Sequence, residues 1–229
     1  CWTAANTSVY VAGVAATDLA ASTTYWVYLF DLSGTPTFDF RASSTHTTDS
    51  LTGIEIRTDD NTRALIGMVR TNASSQFQDG NALRGVLSYF NRRSIGLVNT
   101  FTADRTTTST TYVEVNTEIR ANFLTWADEA VLVTIAGAVS NNTINQDVIT
   151  SLGFDGTNQE RAMNQEKSVG ANDNKALGLS LVRTGLSEGF HFATLLGAAG
   201  ANTALWTGGT YTADTTVRRI TSLHVSTRG

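Results

Sequence analysis

Two adjacent acidic pairs, Asp59-Asp60 and Asp128-Glu129, are where this chain could hold acid–base chemistry for a sugar bond. Glycoside hydrolysis needs two carboxyl groups that face one another, one with a raised pKa. Neighbours along a strand point to opposite faces, so adjacent acids read as turn residues instead. The histidines, His46, His191 and His224, share no metal-ligand spacing with one another or with carboxylates. His191 stands between Phe190 and Phe192 in an alternating run, so its ring faces away from theirs, toward solvent or a subunit partner. Ser187-Glu188-Gly189 reads as a turn rather than a nucleophile site, and the chain has no phosphate loop or Cys-x-x-Cys. The expectation is no catalytic residue, no metal, no cofactor and no enzyme.

What remains is surface recognition. Trp206 lies beside Gly208-Gly209, with Tyr211 close behind. An aromatic beside a flexible turn stacks on a sugar ring, and a tryptophan there also serves to plug the end of a sandwich. Both readings stand. The tract from Asp155 to Asn174, DGTNQERAMNQEKSVGANDN, has few apolar anchors and reads as a long exposed loop, with room for one helical turn at Gln159 to Asn164. It carries Arg161 and Lys167, and Lys175 follows it. These three join Trp206 and Tyr211 as candidate receptor-binding residues.

The elements that must position such residues are strands. Short alternating runs bounded by Gly, Asn and Ser recur along the chain, from Ser8–Ala15 and Thr24–Leu32 to Gly189–Gly197 and Thr216–Val225. Thr24–Leu32, the turn Ser33-Gly34-Thr35-Pro36 and Thr37–Arg41 make a hairpin, with Gly34 supplying a positive φ. The run TADRTTTSTT, Thr102 to Thr111, has no core residue, and a division falls near it. The fold expected is all-β: a small N-terminal β domain over 1–100, and over 101–229 a C-terminal jelly-roll β-sandwich, whose eight or so strands match that architecture.

Composition narrows the partners. Of 229 residues, 16% are charged, the net charge is −4 and lysine occurs only at Lys167 and Lys175, so no basic patch for nucleic acid is expected. No apolar run is long enough to span a membrane, so membrane insertion is not expected either. The one cysteine, Cys1, has no partner for an internal disulfide, which leaves packing to hold the fold. Arg92-Arg93 ends a strand as a basic pair and either meets an acidic patch on a neighbouring domain or is solvated.

Three segments carry a resemblance. They are Ala21 to Asp31 with Ser33-Gly34-Thr35; Arg63 to Thr71 leading to Ser88-Tyr89-Phe90-Asn91-Arg92-Arg93; and Leu186 to Gly197 with the closing Arg228-Gly229. In these the chain resembles the fibre and spike proteins of tailed bacteriophages and prophages, with gene-transfer-agent spikes as a close variant. The resemblance implies a homotrimer in the virion, at the particle surface. Its N-terminal part would join other virion proteins of the tail, baseplate or capsid. Its C-terminal jelly roll would attach the particle to host cell-surface polysaccharide. The rivals are a purely structural fibre or capsid-decorating protein without receptor binding, and an enzyme that trims polysaccharide. A start at Cys1 agrees with the C-terminal portion of a longer fibre.

Overall fold

In a computed structural model the chain is all-β, with no α-helix among the described residues, which are 9–11, 14–17, 19–43, 45–209 and 219–228. The strands β1 (Val9–Val11) and β2 (Val14–Thr17) form a small ladder. A mixed-length antiparallel sheet follows, made of β3 (Thr24–Leu32), β4 (Thr35–Arg41), β5 (His46–Thr48), β6 (Glu55–Arg57) and β7 (Asp60–Arg70) in the order β4-β3-β7-β6-β5. The short β8 (Leu83–Arg84) crosses to the next sheet, and β9 (Val86–Ser88) returns to pair with β7. The β3–β4 hairpin turns on Ser33 and Gly34 at φ 53° and 86°, the two positive values of a type I′ turn.

The remainder is a two-sheet roll. Its eight long strands are β10 (Ser94–Thr100), then, after the short β11 (Arg105–Thr107) and β12 (Val113–Glu114), β13 (Ala121–Thr125), β14 (Val131–Asn141), β15 (Asp147–Phe154), β16 (Gln159–Lys167), β17 (Lys175–Arg183) and β18 (Gly189–Ala199), and finally, after β19 (Ala204–Trp206), β20 (Ser222–Arg228). One sheet runs β10-β20-β14-β17 and the other β13-β18-β15-β16, all antiparallel. Counted along the roll these orders are 1-8-3-6 and 2-7-4-5, which is the jelly roll. The strand β10 lies before the expected division at residue 101, yet it is hydrogen-bonded to the last strand over its whole length. That pairing joins residues far apart in sequence, so no local pattern announces it.

Alternation sets the core. Val131, Val133 and Ile135 of β14, Leu223 and Val225 of β20, Ala193 and Leu195 of β18, and Ala121 and Phe123 of β13 all face inward and are fully buried or nearly so. Trp206 lies in this core with no exposure, and its indole N–H donates to Thr150 Oγ1 at 2.9 Å. Gly197 of β18 lies flat against the ring; a Cβ there would overlap both the indole and Val115. Of the two readings of Trp206, the buried plug is the one the fold uses.

The tract expected to be a loop, Asp155 to Asn174, holds at its centre the nine-residue edge strand β16. Its outward residues, Gln159, Arg161, Met163, Gln165 and Lys167, alternate with half-buried Glu160, Ala162, Asn164 and Glu166. Both faces are mainly polar, so period two leaves little hydrophobic signal, and it is the ladder to β15 that makes the strand.

The upstream sheet packs on the outer face of the β13-β18 sheet. Trp26, Tyr28, Leu65, Met68 and Leu87 form one buried cluster with Leu124 and Trp126 of the roll, and Phe190 packs against it. The guanidinium of Arg70 sits 3.8 Å over the Phe190 ring. In parallel, β8 pairs with β13.

Trp206→Ala is expected to cost about 3–5 kcal/mol of unfolding free energy, through the cavity and the stranded Thr150 hydroxyl. Arg161→Ala, on the exposed edge, is expected to stay within about 0.5 kcal/mol. Urea denaturation of the two variants measures both.

Candidate functional site

The candidate receptor residues do not converge. Trp206 is sealed inside the roll and offers no face to a ligand. Tyr211 lies outside the described residues. Arg161 and Lys167 share the outer side of β16, six positions and therefore about 20 Å apart. Lys175, at the start of β17, pairs with Asp173 Oδ2 at 2.7 Å. The acidic pairs resolve differently from one another. Asp59 and Asp60 bind Arg57 and Arg63 at 2.5 and 2.7 Å, beside the wholly buried Asp39 that the same arginines approach. Asp128 receives the Arg92 guanidinium at 2.8 Å, so this arginine does meet acid on the other half of the chain. Glu129 is buried, not a solvated turn acid; burial pushes its carboxyl up, with Arg92 opposing.

The neighbours of Trp206 do reach a cleft. Midway along, β14 exchanges partners: Leu132–Ala136 pair with β20, whereas Val139–Asn141 pair with β19. Between the two ladders the Thr207 N–H donates to Ala138 O at 3.0 Å and the Thr221 N–H to Thr207 O at 2.8 Å. The sheet surface therefore breaks at this point, and a cleft of about 530 Å³ opens over it. Its walls are Asp104, Ser140, Asn172, Asn174, Thr207 and Arg219, with Ala138 and Leu205 as the apolar part. The β16–β17 loop delivers both asparagines. Asn172 holds φ 58° and gives its N–H to Asn141 O at 2.8 Å, a conformation that asparagine tolerates better than most residues. Asp104 takes the Gly208 N–H at 2.9 Å, tying the far wall to the end of β19.

A carboxylate, two carboxamides, two hydroxyls and a guanidinium supply donors and acceptors together. That set matches a ligand rich in hydroxyl groups, each both donor and acceptor. Sequence reasoning missed Asn172 and Asn174, although the Gly-Ala-Asn-Asp-Asn run was a turn signal. What it lacked was the partner exchange of β14, a non-local event.

At the opposite end of the roll, two histidines hold the segment between β17 and β18. His191 is buried, not turned to solvent or a subunit: its Nδ1 lies 2.5 Å from Asp155 Oδ2 and its Nε2 2.8 Å from the Ser187 carbonyl oxygen. Ser187 Oγ stands 3.4 Å from the same Nε2, so serine, histidine and aspartate occur in the order a hydrolytic triad uses. Both ring nitrogens face acceptors, however, which favours the doubly protonated ring, and in that state Nε2 has no lone pair to take a proton from Ser187. The arrangement is a charged clamp. One residue on, Glu188 accepts from the Trp26 indole N–H and stands 3.0 Å from His46 Nε2. His46 Nδ1 meets Glu55 at 2.6 Å, and Thr48 donates to the other oxygen of Glu55. Burial alone would lower both histidines; the bonds to Glu55 and Asp155, the charge of Glu188 and the Ser187 carbonyl outweigh it and raise them. Among the described residues no group of three or more His, Cys, Asp or Glu could hold a metal ion.

No protein-family model matches the chain, and no curated protein matches it. Among solved structures it is similar to a chain from the structure of infectious bursal disease virus, Gx strain, at 8% identity and a TM-score of 0.30. The match covers 96% of this chain and 61% of that one. The jelly roll itself rests on the strand order given above.

The clamps set a pH window. A histidine raised in the folded state stabilises fully below its ordinary pKa of 6.5, and that stability is lost as pH climbs through the raised value. Glu55 and Asp155, despite burial, are lowered by their hydrogen bonds, so their contribution is full above 4.5 and lost as pH falls through the lowered values. Thermal stability is expected to be highest between about pH 4.5 and 6.5 and to decline above it. Glu188→Gln, followed by calorimetry across that range, is expected to weaken the alkaline decline; an unchanged pH profile would show that Glu188 contributes nothing to it.

Proposed function

We propose that this chain is a structural virion component, a fibre or spike protein of a tailed bacteriophage or gene-transfer agent, which attaches the particle to host cell-surface polysaccharide through the polar cleft of its jelly roll. The observation that carries the reading is an asymmetry between the two ends of the roll. One end, with Trp126 and Glu188, is fastened to the upstream sheet. The cleft lies at the other end of β14, seven residues from Val131 to Ala138 and so about 23 Å away. In this reading the part upstream of β10 joins other virion proteins, and the roll from β10 onward docks, as a homotrimer on the particle surface. Binding rather than catalysis is the role assigned to the cleft.

The cleft is hydrophilic and open, which suits weak hydrogen bonding to sugar hydroxyls better than enclosure of an apolar ligand. Each direct hydrogen bond is worth about 1 kcal/mol net. Asn172→Gly combined with Asn174→Ala removes both carboxamides while keeping the positive φ at residue 172. Adsorption to host cells, or binding on a glycan array, is expected to fall about tenfold to thirtyfold with an unchanged melting temperature. Wild-type protein that binds no host surface would favour the purely structural rival. New reducing ends in treated polysaccharide would favour the trimming enzyme.

A further inference from the structure

Among the described residues, the outer face of the β10-β20-β14-β17 sheet is largely exposed and nearly without charge. The outward positions of its strands are Gly, Ala, Ser, Thr, Val and Leu, with the His224 ring in the middle and Arg228 at the margin. Leu132 and Val182 stand directly opposite one another across β14 and β17, exposed at 42% and 59%, and Val98 stands beside His224. Gly96 and Gly178 keep both edges flat. At 16% charged residues overall, some dozen surface positions would carry about two charges even by chance, and surfaces carry more than the average. The edge strand β16 of the other sheet does carry Arg161 and Lys167. The outward residues of that other sheet are not exposed in the same way: Thr194, Leu196 and Ala198 of β18 are buried, and Thr194 donates to Glu114.

We propose that this face is where a second copy of the chain docks. The proposal rests on the homo-oligomeric reading above and names its surface. Charge selects the occupant. A protein of net charge −4 meets its own copy at least cost through a face that carries almost none. The charges near this face, Arg92, Asp128 and Arg228, gather at its Leu132–Val182 end, where Arg92 and Asp128 already pair with one another. Size sets the strength. Four strands at about 4.8 Å and seven residues at about 3.3 Å give a flat area near 450 Å² before corrugation. That is below the roughly 600 Å² per partner of the smallest stable interfaces, in the range of weak association, and it matches the largest exposed patches that mark interaction sites. A rotation axis along the strands would set every copy's cleft at the same end and turn weak single sites into avidity.

Light scattering at micromolar concentration tests this. The wild-type chain is expected to run at two or more times its 24.5 kDa, and Leu132→Lys with Val182→Lys at 24.5 kDa with an unchanged melting temperature. Met163→Lys on the opposite sheet is expected to leave the assembly intact. Ser180→Glu, a smaller change on the same face, is expected to dissociate it as well, and serves where the double variant fails to fold. A monomeric wild type would overturn the homo-oligomeric reading itself. An assembled wild type whose Leu132, Val182 and Ser180 variants also remain assembled would overturn this surface alone.

Discussion

The apolar joint between the upstream sheet and the roll is what the rest of the molecule depends on. Neither side can bury Trp26, Tyr28, Leu65, Met68 and Leu87, or Leu124 and Trp126, without the other. At about 1.5–3 kcal/mol for each large side chain removed from water, the cluster contributes on the order of 10 kcal/mol or more. The charged hydrogen bonds at its rim, Glu188 with His46 and Trp26, contribute about 1.5–3 kcal/mol each before the cost of desolvation. Burial therefore holds the two halves together, and Glu188 fixes how they meet. Because Ser187 is held by His191 in the next position, the loop has no slack between the clamps.

That joint explains the division of labour in the roll. The end near Glu188 is occupied by structure, and there Ser187, His191 and Asp155 hold a turn. The free end is where β14 trades β20 for β19, and a sheet that changes partners must open there. The cleft follows from that exchange, and its polar lining from the loop residues that surround it.

Much of the architecture was legible in the sequence and the site was not. The Ser33-Gly34 turn, the β3–β4 hairpin and the strand content rest on local rules, and they appear as expected. Arg92 reaching Asp128 was one of the two readings the basic pair left open, the other being a solvated strand end. The membership of β10 in the roll was hidden, since its partner β20 lies over a hundred residues away. Polar β16 was hidden by its weak alternation, and buried Glu129 and His191 by flanking residues that look like an ordinary turn and an exposed strand. In each case the deciding contact is long-range, and composition carries no trace of it.

Hydrogen exchange with and without purified host surface polysaccharide is the most direct test of the account. Saturating polysaccharide is expected to protect the amides of residues 138–140, 172–174 and 205–207 and to leave β3 to β7 unchanged. Protection confined to the upstream sheet, or none anywhere, would contradict it.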